Sequence, residues 1–222
     1  PPRSTLFPYT TLFRSRTILS DYFYIMPFRV DSVHESPEST KIGFSLNNGS
    51  IIESVVMFHY HEKQDHQSNH YWQKKGKRFL NRVTLCISSQ VGCPVWCIFC
   101  VTGKLGFGKN LEYSEMIAQI IRVNHYLKEK LGKKEDGTRW KVRNVVFMGM
   151  GEPLLNYDNI KISLDFMLKQ EFLSLGKRHV TISTSGIIPW IDKLIADGID
   201  CALALSLHAP NQALREKLIP TI

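Results

Sequence analysis

The chain has 222 residues, 43% of them hydrophobic and 22% charged, with five cysteines and a formal net charge of +8. That length supports a buried core without disulfide staples, and apolar runs such as "CALALSL" fall well short of the roughly 20 residues a membrane helix needs. An odd cysteine count, with four thiols crowded into residues 86–100, is unlike a secreted disulfide framework, so a reducing cytoplasm and metal or redox chemistry are expected. The basic balance agrees with a nucleic-acid partner without requiring one.

Residues 1–15, "PPRSTLFPYTTLFRS", resemble the in-frame translation of a sequencing adapter, and they lack the continuous apolar core of a secretory signal. They are set apart as an artefact-like segment, and the same reading leads to the expectation that a native N-terminal region is missing. Residues 16–82 form an N-terminal segment. Its early stretch "DYFYIMPFRV" is apolar and aromatic, compatible with a strand or with a remnant of a lost domain. In "KIGFSLNNGSIIESVVMFHY" two β-rich runs flank Asn47-Asn48-Gly49, residues that tolerate positive φ, so a β-hairpin is expected. The polar stretch that follows holds His59, His61, His66 and His70. With no helix or strand to fix their geometry, a solvated loop is expected rather than a metal site.

From residue 83 the pattern is regular. "VTLCISS" reads as a strand, followed by the cysteine loop. A helix is expected after Ser114 as N-cap, with Met116, Ile117, Ile120, Val123, Leu127 and Leu131 on its apolar side and Gly132 at its end. "NVVFMGM" reads as a buried strand, and Ile160, Leu164, Met167 and Leu168 mark the next helix. "HVTISTS" is a third strand, Pro189 suits the first turn of the helix that stops at Gly198, "CALALSL" is a fourth strand, and "NQALREKLI" opens a fourth helix. Alternating strands and helices predict an α/β fold with a parallel sheet.

Placed on this scaffold, the candidate residues share one end of the sheet. Cys93, Cys97 and Cys100 follow the first strand, Gly151 and Glu152 the second; Ser183 and Ser185 close the third, and Ser206 and His208 the fourth. Parallel α/β folds build their sites at that C-terminal end. Structural zinc ordinarily takes four closed ligands. Three thiolates spaced C-x3-C-x2-C on one loop fit a 4Fe-4S cluster with one iron left open, since such clusters otherwise take four cysteines.

The motif with Phe99 before its last cysteine resembles the radical S-adenosylmethionine superfamily. "LCISSQVGC", "GKNLEYSEMIAQI", "MGMGEPLLN", "VTISTSG" and "LALSLHAPN", in that order from about residue 42 to the end, are similar to the RlmN/Cfr group of RNA adenine methyltransferases. The resemblance implies a partial radical SAM (β/α) barrel over residues 83–222, preceded by a β-hairpin and incomplete at the C-terminus. It implies a 4Fe-4S cluster on Cys93, Cys97 and Cys100, and S-adenosylmethionine contacted by Gly151, Glu152, Ser183, Ser206, Leu207 and His208. It assigns Glu53 as a proton acceptor and Cys86 as the thiol that resolves an RNA–protein adduct. The implied reaction is methylation of an adenine carbon, C2 before C8, in 23S rRNA and tRNA. It draws electrons from a donor such as flavodoxin or ferredoxin, in the cytoplasm and without a membrane partner.

In that reaction the cofactor supplies a 5′-deoxyadenosyl radical, and a thiolate releases the adduct by forming a disulfide. The adenine has to leave its stack to be reached. The run "QKKGKR" (73–78) and Lys104, Lys109, Lys141 and Arg143 are candidates for phosphate contacts. The family's methyl-carrying cysteine falls beyond residue 222, and Cys201, at the start of the fourth strand, does not match it. The family's last strands, an Asn of the cofactor pocket and its N-terminal RNA-binding domain are also unmatched, so an inactive fragment is expected. Two alternatives remain open: another radical SAM enzyme, and a zinc-containing RNA-binding module.

Overall fold

The computed structural model describes residues 27–62, 78–134 and 136–221. The expectations for residues 1–15, for most of "DYFYIMPFRV", for His66 and His70, and for the basic run up to Lys77 lie outside the described residues.

Four antiparallel strands come first: β1 (Phe28–Glu35), β2 (Ser39–Leu46), β3 (Ile51–Glu62) and β4 (Arg78–Cys86). The β2–β3 turn falls at Asn47-Asn48-Gly49, where Gly49 takes φ +82°. The expected hairpin is therefore the centre of a larger antiparallel unit: β1 adds to its outer side, and β3 pairs with β4 on the other. His59 and His61 do not lie in a loop. They belong to β3, whose length follows from its partner, since pairing with β4 continues to Glu62↔Arg78. His59 Nε2 lies 2.9 Å from the Thr84 hydroxyl, a cross-strand contact.

β5 (Gln90–Gly92) and β6 (Phe107–Asn110) form a small ribbon enclosing the cysteine loop and the short helix α1 (Val101–Lys104). Helix α2 (Tyr113–Leu131) follows. Ser114 is not its N-cap; Glu112 is, and its backbone N–H donates to Glu115 Oε2 at 2.8 Å. The Ser114 hydroxyl instead reaches the Glu112 carboxylate. Gly132 ends the helix as expected. The chain then alternates β7 (Asn144–Phe147), α3 (Tyr157–Leu168), β8 (Val180–Thr184), α4 (Ile188–Ala196), β9 (Ala202–Leu205) and α5 (Gln212–Leu218).

All but the ribbon strands join one seven-stranded sheet, ordered β1-β2-β3-β4-β7-β8-β9, in which β4, β7, β8 and β9 run parallel. Alternation divides its two faces. Leu85, Val145, Phe147, Val180 and Ile182 point to the helices and pack with Met116, Ile120, Val123, Ile160, Leu164 and Met167. Each of these fully buried side chains contributes about 2 kcal/mol. The other face is only half-buried, and the candidate residues lie on it and at its upper rim.

Candidate active site

The half-buried face is read from strand register. Val55 pairs with Cys86, Cys86 with Val146, Val146 with Thr181, and Thr181 with Ala202. One step higher, Ser183 pairs with Ala204, and the Ser183 and Ser206 hydroxyls lie 3.4 Å apart. Glu53 is two residues from Val55, so it shares this face and sits diagonally across from Cys86. β3 runs antiparallel to β4, which brings its beginning to the end of β4. The Glu53 carboxylate pairs with Lys41 at 2.9 Å and is about half exposed. The Cys86 thiol is pushed up to about 11 by burial, an effect the Met148 backbone N–H partly offsets.

Beyond Cys86, residues Ser88, Ser89 and Gln90 are buried, and each polar group has a partner. Gln119, on the inner side of α2, accepts from the Ser54 hydroxyl (2.7 Å) and Ser88 N–H (2.9 Å) and donates to the Ser88 carbonyl (3.0 Å). The Ser88 hydroxyl donates to the Glu53 carbonyl (2.6 Å) and accepts from Met150 N–H (3.0 Å). The segment after β7 runs against this one with no room for a side chain at Gly149 or Gly151. A Cβ on Gly149 would lie 2.6 Å from the Ile87 carbonyl oxygen, and Gly151, at φ +106°, would press one 2.6 Å from Gln90 Cβ.

The cysteine loop is anchored at several points. Cys93 N–H donates to the Gly106 carbonyl (2.9 Å), Cys100 N–H to Cys97 (3.0 Å) and Ile98 N–H to Leu218 at the end of α5 (3.0 Å). Thr221 Oγ1 donates to the Val95 carbonyl. Cys93 and Val95 pack with Ile219 in a small apolar cluster that includes Cys97, Leu155 and Leu218. All three loop cysteines are free thiols. Burial pushes Cys93 up to about 11, with Glu152 and the other two sulfurs adding to the shift; Cys97 is raised by burial and then by Cys100. Burial therefore opposes the thiolate at Cys93 and Cys97, and a cation bound there would favour it. Among the described residues no three His, Cys, Asp or Glu side chains form a group suited to a single metal ion. An iron–sulfur cluster presents separate iron corners, which three loop thiolates can meet without converging on one point.

Glu152 is buried, and its carboxylate is already engaged. Oε1 accepts from Leu154 N–H (3.1 Å), while Oε2 accepts from Ser185 N–H (2.8 Å) and its hydroxyl (2.7 Å). Its backbone N–H donates to Gln90 Oε1 (2.8 Å). Arg215, on α5, donates to the Ser185 carbonyl, and its charge favours the thiolate of Cys97. At the end of β9, Ser206 N–H donates to the Thr184 carbonyl (2.8 Å), Leu207 is exposed, and the His208 ring lies 4.6 Å from Phe99 of the cysteine loop. His208 (φ 57°) and Trp96 (φ 58°) both take the left-handed conformation, which costs a non-glycine residue about 1 kcal/mol. Such strain persists where the surroundings fix it, and here Trp96 lies within the cysteine loop and His208 against it.

The structure therefore gathers Cys93, Cys97, Cys100, Gly151, Glu152, Ser183, Ser206, Leu207 and His208 at one rim, with Cys86 and Glu53 on the adjoining face. Cys201 precedes β9, at the opposite end. The candidate phosphate contacts do not share a surface: Lys104 lies on α1, Lys109 is bound to Glu115 (2.8 Å), and Lys141 and Arg143 precede β7 at the far end. Sequence reasoning passed over Gln119, Gln90, Asn156 and Arg215. Gln119 carried a signal, a polar residue amid the apolar stripe of Met116, Ile120 and Val123. Asn156, which donates to the Ser89 and Leu111 carbonyls (2.8 and 2.7 Å), carried none.

Residues 87–221 match the model of the Radical SAM superfamily. A crystal structure of a radical SAM methyltransferase from Sphaerobacter thermophilus is similar over 97% of this chain, with 33% identity and a TM-score of 0.76. The chain spans 55% of that protein's length. With the three-cysteine loop on the matched strand rim, the chain belongs to the radical SAM superfamily, whose members carry a 4Fe-4S cluster and bind S-adenosylmethionine.

Proposed function

We propose that this chain is the core of a radical SAM methyltransferase of the RlmN/Cfr type, which methylates an adenine carbon, C2, in 23S rRNA and tRNA in the cytoplasm. The observation that carries the reading is a fourth cysteine and a carboxylate outside the cluster loop: Cys86 and Glu53 are diagonal neighbours on the half-buried face. Cluster binding needs neither residue. A thiol and a proton acceptor beside the cofactor rim suit a reaction that passes through a covalent RNA–protein adduct.

In this reading Cys93, Cys97 and Cys100 hold the cluster. Gly151, Glu152, Ser183, Ser206, Leu207 and His208 line the S-adenosylmethionine site. When bound, the cluster and S-adenosylmethionine supply one-electron chemistry at carbon, with the electron delivered by a donor such as flavodoxin or ferredoxin. The protein's own residues orient and protect. With its carboxylate tied to Ser185 and Leu154, Glu152 fixes the rim between β7 and β8 and leaves little acceptor capacity for a ligand. Glu53, released from Lys41, accepts a proton from the substrate carbon. Cys86 ionises and attacks the sulfur of the methyl-carrying cysteine, which is expected beyond residue 222. The S–S bond forms as that sulfur's bond to the product carbon breaks, and the electron pair left on carbon takes up a proton, which frees the product.

The test is anaerobic reconstitution with iron and sulfide, followed by dithionite and S-adenosylmethionine with or without an unmodified 23S rRNA fragment. About four irons per chain and broad absorbance near ~400 nm are expected. Release of 5′-deoxyadenosine should be stimulated by the RNA and lost in Cys93→Ala. Cleavage indifferent to RNA would overturn the RNA reading, and a colourless protein with stoichiometric zinc would overturn the cluster.

A further inference from the structure

The end of the sheet opposite the candidate site carries a group of cations that form no ion pair among the described residues. Helix α2 returns the chain from the rim to the start of β7, and its C-terminal connection forms a tight antiparallel turn with a Lys133↔Arg139 bridge. The turn is pinned by Asp136, whose carboxylate accepts from Thr138 N–H (2.8 Å), and by Lys134, 4.6 Å over the Trp140 ring. Arg143 follows, and its backbone N–H donates to the Val83 carbonyl (2.9 Å), which places it beside Arg82 at the root of the β3–β4 ribbon. On the other side of β7, His179 Nδ1 lies 2.8 Å from Asn144 Oδ1, which brings Arg178 to the same edge.

Arg82, Lys133, Arg139, Lys141, Arg143 and Arg178 are all exposed, and none makes an ion pair with another described residue. Two described acids belong to the adjoining segments. Asp200 is taken by Lys177, and Asp136 by Thr138. The helix dipole accounts for cations within the last turn of α2 and falls off beyond it, so it explains Lys128 and Lys130 but not Arg143, Arg178 or Arg82. Clustering like charges opposes folding, and a partner of opposite charge relieves it. The guanidinium groups suit phosphate, which they meet with paired donors.

The geometry points to this pole as a second RNA-contacting surface, which holds the phosphate backbone of the substrate RNA away from the catalytic rim. The inference rests on the RNA reading above. It reads affinity and salt dependence rather than chemistry, because phosphate contacts position a nucleic acid without reading its sequence.

The experiment compares the wild-type chain, a pole variant (R139Q/K141Q/R143Q/R178Q) and a control variant with the same charge change elsewhere (R29Q/R122Q/K161Q/K169Q). Binding of an unmodified tRNA transcript and of heparin is measured across a salt series, after circular dichroism has shown all three folded. The pole variant should bind the transcript more than tenfold more weakly, with the log–log salt slope smaller by about 3. The control should stay within about twofold of wild type. Equal losses in the two variants, or no loss in either, would overturn the pole while wild-type RNA binding keeps the RNA reading intact. Pole-dependent binding of heparin with no binding of the transcript would overturn the RNA assignment itself.

Discussion

A thiol acts as a nucleophile only as its thiolate, and Cys86 lies where ionisation is opposed. Its sulfur faces the half-buried side of the sheet with Val55 and Val146 as paired neighbours, and burial pushes it up to about 11. The raised value means that the folded state favours the neutral thiol. Between the unfolded thiol's pKa near ~8.5 and the folded value, the unfolded chain therefore binds fewer protons, and stability falls as pH rises through that window. The same shift sets reactivity. Alkylation of Cys86 by iodoacetamide in the metal-free protein, read peptide by peptide in a mass spectrometer, should rise close to tenfold per pH unit from about pH 8 to about pH 10 without levelling. A plateau below about pH 9 would show a thiolate stabilised in the resting protein. The proposed role then requires Cys86 to be activated by the bound substrate rather than held ready in advance.

At the scale of elements, one side chain ties a helix to two strands. Gln119 reaches from α2 to the Ser54 hydroxyl on β3 and to both backbone groups of Ser88 just past β4, and all three residues are buried. Leucine there would fit the apolar stripe but leave buried donors and acceptors without partners. Gln119→Leu should therefore cost about 3 kcal/mol and lower the melting temperature by several degrees. A Gln119→Leu melting curve that overlays wild type would show the network to be dispensable. This network marks the boundary of what was legible in the chain. Strand alternation in "HVTIS", the stop at Gly132, Pro189 in the first turn of α4 and the turn at Gly49 are local physics, so they read directly. The start of α2 did not, because Glu112 and Glu115 outcompete Ser114 for the cap. The strand character of His59 and His61 depends on β4 lying beside them. The cysteine spacing was legible, yet the Glu152–Ser185–Arg215 chain that braces the rim joins residues far apart in sequence, and no period or motif announces it.

The whole molecule has two sheet edges, and they are defended differently. β1 carries exposed Arg29, Asp31 and Glu35 and a bulge between Val30 and Ser32, all features that discourage a second strand from docking. β9 reads Ala-Leu-Ala-Leu, with no charge and no bulge, and is the last strand in the order. Leu203 and Leu205 are 43% and 57% exposed on one side of it, and Leu207 follows just beyond. Among the described residues no strand lies beyond β9, so this apolar edge is opposed in solution mainly by the repulsion of the chain's +8 net charge. Salt shortens the reach of that repulsion from about 10 Å at 0.1 M to about 3 Å at 1 M and leaves apolar contact intact. Sedimentation should thus show the mean mass of the chain rising with protein concentration, and rising further as salt is added. Leu203→Lys combined with Leu205→Lys places charge on the edge itself and should hold the chain monomeric under the same conditions. If the double variant associates as readily as wild type, the contact lies elsewhere on the molecule; if salt dissolves the assemblies, charge pairing rather than the bare β9 edge holds them together.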